Sequence, residues 1–510
     1  MRSDLANGFA KISGISGAAR TRIAYCLCNN PGYPHCMIVR KSVSALSACI
    51  LLASCGGGGQ SGNGNTAGTT PAAPPSPTPI NTTCSLRDRQ DWALNELRQW
   101  YLFPELLDLS VNPAAYSNVD DYVDALVAPA RAQSRDRYFT YVTSIAAENA
   151  YFSSGSSAGF GVRLNYDATN RRVFVLEAFE DAPALAAGID RGTEILAIGE
   201  TPTSLRSVTT LFASGGATAV ADALGPSTAG LTRTMSIRAN GVEREVTVSK
   251  RDYTLAPVSS RYGYKIINDN GRRVGYINLR TFIGTANDQL RTAFDAMRTQ
   301  GITELIIDFR YNGGGLVSVA ETMADLLNAN RAPQIWSYTT FRPEKSSENE
   351  SYSLRVQSQA VPVTRVAFIG TSASASASEM VINGQLPFLG AATALIGSNT
   401  YGKPVGQIAR DRSVCDDRLR IVAFRVENAS RQGDYYTGLA SKMASTCQAA
   451  DDIGRPLGDP AEASVRAGLD FLAGRACTPI SGQSALSAAN RGLLRPTKPS
   501  AAQYQLEGLF

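Results

Sequence analysis

The strongest constraint on the fold lies downstream of Val274, where short apolar segments alternate with amphipathic segments of helical length. Helical patterns near residues 287–299 and 317–328, and a further one before ALIG, separate the apolar segments VGYINL, LIIDF, RVAFI and ALIG. Regular alternation of strands and helices predicts an α/β core whose functional residues lie in loops at the strand ends. At 510 residues the chain has room for two or three domains, so this core is only part of it.

Two regions of different character precede this core, and a shorter one follows it. Residues 84–155 show helical spacing and several aromatic side chains, which predicts a small helical cap without a catalytic pattern. Residues 156–252 read as short strands separated by glycine turns, typical of a β domain. The predicted core spans residues 260–480, and residues 481–510 form a tail without a strong folding signal.

The N-terminal region has the pattern of an export signal. Residues 37–54 begin with two basic residues, continue with about a dozen mostly apolar residues and end in small ones, too few to span a membrane as a helix. Residues 1–54 are therefore expected to be removed, and Met37 is a possible true start. The letters LASC at 52–55 resemble the lipobox of bacterial lipoproteins, which implies a lipidated Cys55 on the periplasmic side of a bacterial membrane, the outer membrane being favoured. The Gly- and Pro-rich residues up to 83 then form a flexible linker.

Removal of the signal region changes both the charge and the available chemistry. Residues 55–510 contain 43 basic and 43 acidic side chains, so a basic nucleic-acid-binding surface is not indicated. The only histidine of the sequence is His35, within the removed part. This excludes histidine-based nucleophilic catalysis and zinc sites with histidine ligands.

Cysteine usage favours disulfides over metal or redox chemistry. Besides Cys55, four cysteines remain after processing, without any CxxC spacing: Cys84, Cys415, Cys447 and Cys477. An even number in an oxidising compartment predicts two disulfides. Of the three possible pairings we expect Cys415–Cys447 and Cys84–Cys477.

Three short motifs follow one another within the predicted core. They are DFRYNGGG at 308–315, SASASASE at 372–379 and TYGKPVGQ at 400–407. In this order and spacing they resemble the C-terminal processing (tail-specific) serine peptidase family. The resemblance covers about residues 84–480 and implies a crotonase-like α/β core that uses a serine and a lysine, preceded by a PDZ-like domain. It implies neither a cofactor nor a metal.

The resemblance assigns the catalytic residues within the second and third motifs. It places the nucleophile at Ser376, the general base at Lys403 and a lysine-orienting group at Gln407. A serine hydroxyl needs a base, and an unprotonated lysine can replace histidine if burial lowers its pKa. Lys403 lies in a mostly uncharged stretch, which is compatible with such burial. The proline after the lysine departs from the family, where glycine is usual.

Composition alone does not decide which serine of the second motif attacks. Ser372, Ser374, Ser376 and Ser378 repeat at every second position. The position three residues before the glutamate selects Ser376, which we prefer. The usual family separation from the lysine, 25 residues, selects Ser378 instead.

Acyl transfer also needs hydrogen-bond donors for the developing oxyanion. The main-chain N–H groups of Ala377, at a helix start, and Gly314, in the glycine turn, are the candidates. Asp308 and Arg310 are expected to form a structural ion pair.

The β domain carries a candidate peptide site. Gly159, Phe160, Gly161 and Val162 match the carboxylate-binding loop of PDZ domains, in which a peptide C-terminus adds a strand to the sheet. The resemblance therefore implies protein or peptide partners with accessible C-termini.

Three other interpretations were weighed. Residues 397–403 fit the phosphate-loop pattern GxxxxGK, but Pro404 lacks the hydroxyl that binds magnesium, so we reject it. A catalytically inactive PDZ-type peptide-binding lipoprotein and a non-peptidase hydrolase with the same Ser–Lys pair remain alternatives. Loss of labelling by serine-reactive probes would favour the inactive binding protein. Comparing the hydrolysis of peptides with that of simple esters would identify a non-peptidase hydrolase.

Overall fold

The computed structural model describes residues 83–481 and 491–510, which belong to one compact unit. The predicted signal region and Cys55 lie outside the described residues. The described strands are β1 (Tyr141–Ser144), β2 (Ser156–Gly159), β3 (Val162–Asp167), β4 (Arg172–Ala178), β5 (Glu194–Gly199), β6 (Arg206–Ser207), β7 (Thr232–Ala239), β8 (Val242–Ser249), β9 (Arg251–Thr254), β10 (Tyr264–Asp269), β11 (Arg272–Asn278), β12 (Glu304–Asp308), β13 (Ile335–Phe341), β14 (Glu350–Ser353), β15 (Arg365–Gly370), β16 (Thr393–Gly397), β17 (Val405–Arg412), β18 (Asp417–Asn428), β19 (Ser445–Gln448) and β20 (Arg491–Leu493). The described helices are α1 (Leu86–Trp100), α2 (Val119–Leu126), α3 (Ala128–Ala132), α4 (Ile145–Ser154), α5 (Pro183–Ala186), α6 (Val208–Leu224), α7 (Ala286–Thr299), α8 (Val317–Leu327), α9 (Ala377–Leu389), α10 (Ala463–Leu472) and α11 (Ala501–Gln505).

The predicted α/β alternation is confirmed by a six-stranded central sheet in the order β10-β11-β12-β15-β16-β19. β10 is antiparallel to β11, and the other neighbours are parallel. Successive residues of a strand face opposite sides, so Ile307 packs with α7, α8 and α9 while Ile306 packs with α10. Both faces are covered, which is why these strands read as continuous apolar runs.

A second sheet has the order β1-β18-β13-β14, and β17 also pairs with β18. The N-terminal region was expected to be helical, yet Tyr141–Ser144 forms β1 within this sheet. Leu97 of α1 and Val123 of α2 pack in one apolar cluster with Leu419 and Ile421 of β18. The N-terminal helices are therefore held by the strands that follow the third sequence motif, rather than forming a core of their own.

A third sheet, here called the β3 sheet, has the order β20-β3-β4-β5-β7-β8, with β6 beside β5. Its strands lie where the glycine-punctuated pattern predicts strands, and α6 covers its apolar core. The tail was expected to lack folding signals, but residues 491–510 pack against this sheet. Residues 491–493 extend it as β20, and Leu494 and Phe510 are buried in its core.

The predicted structural ion pair of Asp308 and Arg310 is confirmed. The Arg310 guanidinium lies 3.0 Å from Asp308 and 2.9 Å from Glu462, and all three side chains are buried. Burial of charge without partners is costly, so this triad fixes the end of β12 relative to α10.

The disulfide pairing expected from the sequence is wrong. The bonds are Cys84–Cys415, with Cα atoms 5.5 Å apart, and Cys447–Cys477, with Cα atoms 5.4 Å apart. The first bond forms because α1 lies along the start of β18, where Arg89 binds Asp417. The second forms because the chain after α10 returns to β19.

We expect a non-reducing peptide map to contain the Cys84–Cys415 and Cys447–Cys477 cross-linked peptides. Since the second bond closes a short loop, replacing both Cys447 and Cys477 by Ser should lower the free energy of unfolding by about 2–4 kcal/mol. A map with Cys415 linked to Cys447 would contradict the structure.

Candidate active site

Ser376 occupies a strained junction between a loop and α9. Its backbone has φ 55° and ψ −115°, and the helix begins at the next residue, Ala377. A non-glycine residue with positive φ costs of order 1–3 kcal/mol and persists only where its surroundings impose it. Such a turn exposes a side chain at the start of a helix, as in the nucleophile turn of the α/β-hydrolases.

The other serines of the repeat have different environments. The Ser374 hydroxyl donates to the carbonyl of Phe309 at 2.8 Å, and the Ser378 hydroxyl donates to the carbonyl of Asn312 at 2.9 Å; both are buried. Ser372 is exposed. Ser374 and Ser378 thus anchor the turn to the loop after β12, whereas Ser376 is half-buried at its apex.

Glu379 connects the serine turn to the lysine loop. Its Oε2 accepts the N–H of Ser376 at 3.1 Å and the N–H of Lys403 at 2.7 Å, while Oε1 accepts the N–H of Gly402 at 2.7 Å. Burial raises the pKa of this carboxyl above its ordinary value, and the donors oppose that effect. Sequence reasoning used Glu379 only to set the register, yet its carboxylate brings Ser376 and Lys403 together.

Lys403 and Gln407 form the pair that the sequence predicts. Lys403 Nζ donates to Gln407 Oε1 at 2.7 Å and lies 4.7 Å from the centroid of the Phe139 ring. Burial lowers the pKa of Lys403 to about 8, although the negative charge of Asp136 acts in the opposite direction. At pH 7 about a tenth of the amine is therefore unprotonated, far more than in an ordinary lysine.

The N-terminal region, which showed no catalytic pattern, supports this pair. Gln407 Nε2 donates to the carbonyl of Phe139. The Arg137 guanidinium donates to the carbonyls of Tyr401 and, at 2.9 Å, Gly402. The contacts of Gly402 and Gln407 join residues that are 265 and 268 positions apart, so no sequence motif contains both partners. Only the pairing of β1 with β18 reveals them.

The glycine turn lies against the serine turn. A side chain on Gly314, which has φ 110°, would begin 2.8 Å from Ser376 Cβ and 2.9 Å from the nitrogen of Ala377. Glycine is therefore required there. The two predicted oxyanion donors lie close together, but the N–H of Gly314 donates to Asn312 Oδ1 at 3.0 Å. In this structure that N–H is not available to a substrate.

The predicted peptide-binding residues lie elsewhere, between β2 and β3 at the edge of the β3 sheet. Gly161 has φ 76°, and a side chain there would begin 2.0 Å from Ala182 Cβ. Close packing of the loop on α5 explains this glycine. Among residues 83–481 and 491–510, no group of three or more acidic, Cys or His side chains is placed to hold a metal ion.

The chain is similar in sequence and in fold to known proteins. Residues 273–432 match the model of peptidase family S41. The chain is 29% identical over 254 residues to a carboxyl-terminal-processing protease of Picosynechococcus sp., covering 49% of this chain and 55% of that protein. It is 27% identical over 288 residues to a probable CtpA-like serine protease of Staphylococcus epidermidis, covering 55% and 52%. It thus spans about half the length of these curated relatives.

A crystal structure of an S41 protease candidate from Bacteroides fragilis superposes with a TM-score of 0.59 at 22% identity, covering 75% of this chain and 97% of that one. The superposition shows a shared mixed α/β fold. The sequence matches thus relate the chain to proteins named as processing or serine proteases. More narrowly, its residues 273–432 resemble peptidase family S41.

We expect Gln407→Leu to lower kcat about 10- to 100-fold, because the lysine amine loses the acceptor that orients it. Gln407→Glu should instead shift the pH–rate profile to higher pH, since a carboxylate beside Lys403 favours the ammonium. The pH dependence of peptide hydrolysis by both variants tests this. If both variants have the rates and pH–rate profiles of the unmodified chain, Gln407 does not take part in catalysis.

Proposed function

We propose that this chain is a serine endopeptidase that cleaves exported proteins, with Ser376 as nucleophile and Lys403 as general base. The observation that carries the proposal is the Glu379 carboxylate, one oxygen of which accepts the N–H groups of both Ser376 and Lys403. It holds a strained serine turn beside a lysine whose pKa is lowered by burial. These are the two conditions that Ser–Lys catalysis needs.

The reaction proceeds in two steps. In the first, Ser376 Oγ attacks the carbonyl carbon of the substrate while its proton passes to the neutral amine of Lys403. The resulting ammonium then protonates the leaving amine, which leaves an acyl-enzyme on Ser376. In the second step, Lys403 accepts a proton from water as the water attacks the ester. The tetrahedral intermediate then expels Ser376 Oγ, which takes that proton from the Lys403 ammonium, and the acid product departs.

The oxyanion of each tetrahedral intermediate lies near the N–H groups of Ala377 and Gly314. For Gly314 to donate, its hydrogen bond to Asn312 has to be exchanged for one to the substrate. Each well-placed donor is worth about 3–4 kcal/mol of transition-state stabilisation. The N–H of Gly314 therefore becomes available as an oxyanion donor only when the substrate binds.

Substrate selection is assigned to the β3 sheet, which we regard as a PDZ-like domain. Its loop at Gly159–Val162 lies at the start of β3, and β3 has an edge opposite β4 at which further chain pairs. A peptide that extends this edge would place its C-terminus at the loop. This favours cleavage of proteins with accessible C-terminal tails.

Export and lipid anchoring at Cys55 are part of the proposal. The support is the signal pattern of residues 37–55, together with two disulfides, which persist in oxidising compartments. Among the helices of the described residues, none combines the length and apolar character of a membrane span.

The test is cleavage of a fluorogenic peptide by the purified chain, with Ser376→Ala as control. We expect hydrolysis that the control lacks, and weaker hydrolysis when the C-terminus of the peptide is amidated. Peptide binding without hydrolysis would favour an inactive binding protein. Hydrolysis of simple esters alone would favour a non-peptidase hydrolase.

A further inference from the structure

The end of the sequence occupies the predicted peptide site of the same chain. The N–H of Phe510 donates to the carbonyl of Val162 at 2.9 Å, and the N–H of Leu164 donates to the carbonyl of Gly508 at 2.8 Å. These bonds add residues 508–510 to the free edge of β3, beyond β20. This is the manner in which an extended peptide joins an exposed sheet edge.

The loop residues hold the last carbonyl group of this segment. The Phe510 oxygen accepts the N–H of Gly161 at 2.8 Å and the N–H of Val162 at 3.2 Å. A side chain on Gly159 would begin 3.1 Å from the same oxygen, which is a tight contact that would push residue 510 outward. The Phe510 side chain is buried in the apolar core of the β3 sheet. The loop thus already holds a ligand, and the ligand belongs to the chain itself.

The residues just before this ligand cover the candidate active site. Tyr504, Gln505 and Glu507 line the same cavity as Lys403 and Gln407. A substrate that reaches Lys403 through this cavity has to displace these residues.

Specific contacts fix this cover. The Tyr504 ring stacks on the Tyr141 ring at 3.9 Å, and Gln505 Nε2 donates to the Tyr141 hydroxyl at 2.8 Å. The carbonyl oxygen of Gln505 lies 2.7 Å from the point where a side chain on Gly313 would begin. The cover therefore rests directly on the glycine turn beside Ser376.

The segment that covers the cavity is helical rather than extended. Ala501–Gln505 is helical, and the N–H of Leu506 donates to the carbonyl of Ala502 at 2.8 Å. Attack on a peptide carbonyl requires that carbonyl to be presented to the nucleophile in a near-attack geometry. A carbonyl turned into helical hydrogen bonding is not presented in this way.

We propose that residues 501–510 are an internal ligand that fills the peptide groove, covers the active site, and is displaced by peptides that place a bulky apolar residue at the loop of Gly159–Val162. The inference rests on the proposed peptidase function. Its ligand class follows from Phe510, because the residue whose carbonyl is held by Gly161 also buries its apolar side chain in the β3 sheet. A tethered ligand competes at high effective concentration, so it weakens the apparent affinity of every external peptide.

The direct test is peptide binding by the full-length chain carrying Ser376→Ala, which needs no turnover. The probe is a fluorescein-labelled peptide with the sequence of residues 503–510, QYQLEGLF. Phe510→Asp should release the internal ligand and tighten binding at least tenfold. Val356→Asp, the same change at an exposed apolar side chain, is the matched control and should leave binding unchanged.

Hydrogen exchange shows whether the variant acts by releasing the segment. In Phe510→Asp, the amides of Gly161, Val162 and Leu164 should lose protection, while those of the central sheet keep it. Tyr504→Ala, which removes only the ring stack over the active site, gives a second variant if Phe510→Asp does not fold. It should raise the rate of peptide hydrolysis at least tenfold in chains that retain Ser376.

The outcomes separate this inference from the proposed function. If Phe510→Asp binds the probe more tightly but no peptide is hydrolysed, the internal ligand is supported and the proposed peptidase function is wrong. Two results together would overturn the internal ligand alone. The unmodified chain and Tyr504→Ala would hydrolyse peptide at equal rates, and Phe510→Asp would leave the peptide affinity unchanged. A probe ending in aspartate that binds as tightly as QYQLEGLF would overturn the assigned ligand class.

Discussion

Replacing Ser376 by Ala is expected to lower kcat for peptide hydrolysis by at least about 10³-fold while the chain stays folded. The loss is large because the acyl-enzyme cannot form without the hydroxyl. Stability should fall by no more than about 1 kcal/mol, since alanine removes a half-buried hydroxyl that belongs to the capping box of α9. The measurements are steady-state kinetics and thermal unfolding of the same preparation.

The neighbouring serines are the matched controls. Ser374→Ala and Ser378→Ala each remove a buried hydrogen bond, to Phe309 and Asn312, and should cost about 1 kcal/mol of stability. Their kcat should fall far less than that of Ser376→Ala, because neither hydroxyl lies at the apex of the turn. If Ser378→Ala is inactive and Ser376→Ala active, the nucleophile is Ser378 and the assigned register is wrong.

Replacing Lys403 by Ala is expected to lower kcat by a similar factor, and Lys403→Arg should not restore it. The guanidinium stays protonated throughout the accessible pH range, so it cannot accept the serine proton. In the unmodified chain only the neutral amine acts as base. Because burial lowers the pKa of Lys403 to about 8, the rate should be low at pH 6, rise through pH 8 and level off above it.

Lys250 provides a control for this assignment. Burial also lowers its pKa to about 8, but its Nζ donates to the carbonyls of Gly225 and Pro226, at the far end of β8. Lys250→Met should therefore leave the midpoint of the pH–rate profile where it is. A profile that is flat from pH 5 to 9 with chemistry limiting would exclude a lysine base.

The parts of the site predicted from sequence are those encoded locally. The central strands and helices are predicted by the spacing of apolar residues along the chain. The pairing of Lys403 with Gln407 is predicted because the two residues stand four positions apart in one motif. The choice of Ser376 as nucleophile rests on its position three residues before Glu379, at the start of one helix. In each case a short segment contains the whole signal.

The parts that sequence reasoning missed depend on contacts between distant segments. Arg137 and Phe139 reach the lysine loop only because β1 pairs with β18. The disulfide pairing depends on where α1 and the end of α10 pack, and cysteine spacing contains no information on that. Residues 501–510 showed no strong pattern because they are held by an existing edge and cavity, not by a core of their own.

The most direct test of the central claim is the site of covalent labelling by a fluorophosphonate probe, mapped by mass spectrometry at pH 9. It is applied to the chain with and without Tyr504→Ala, so that closure of the site is controlled. We predict an adduct on Ser376 that is lost in Lys403→Ala. An adduct on another serine, or labelling of Ser376 at the same rate without Lys403, would contradict the account.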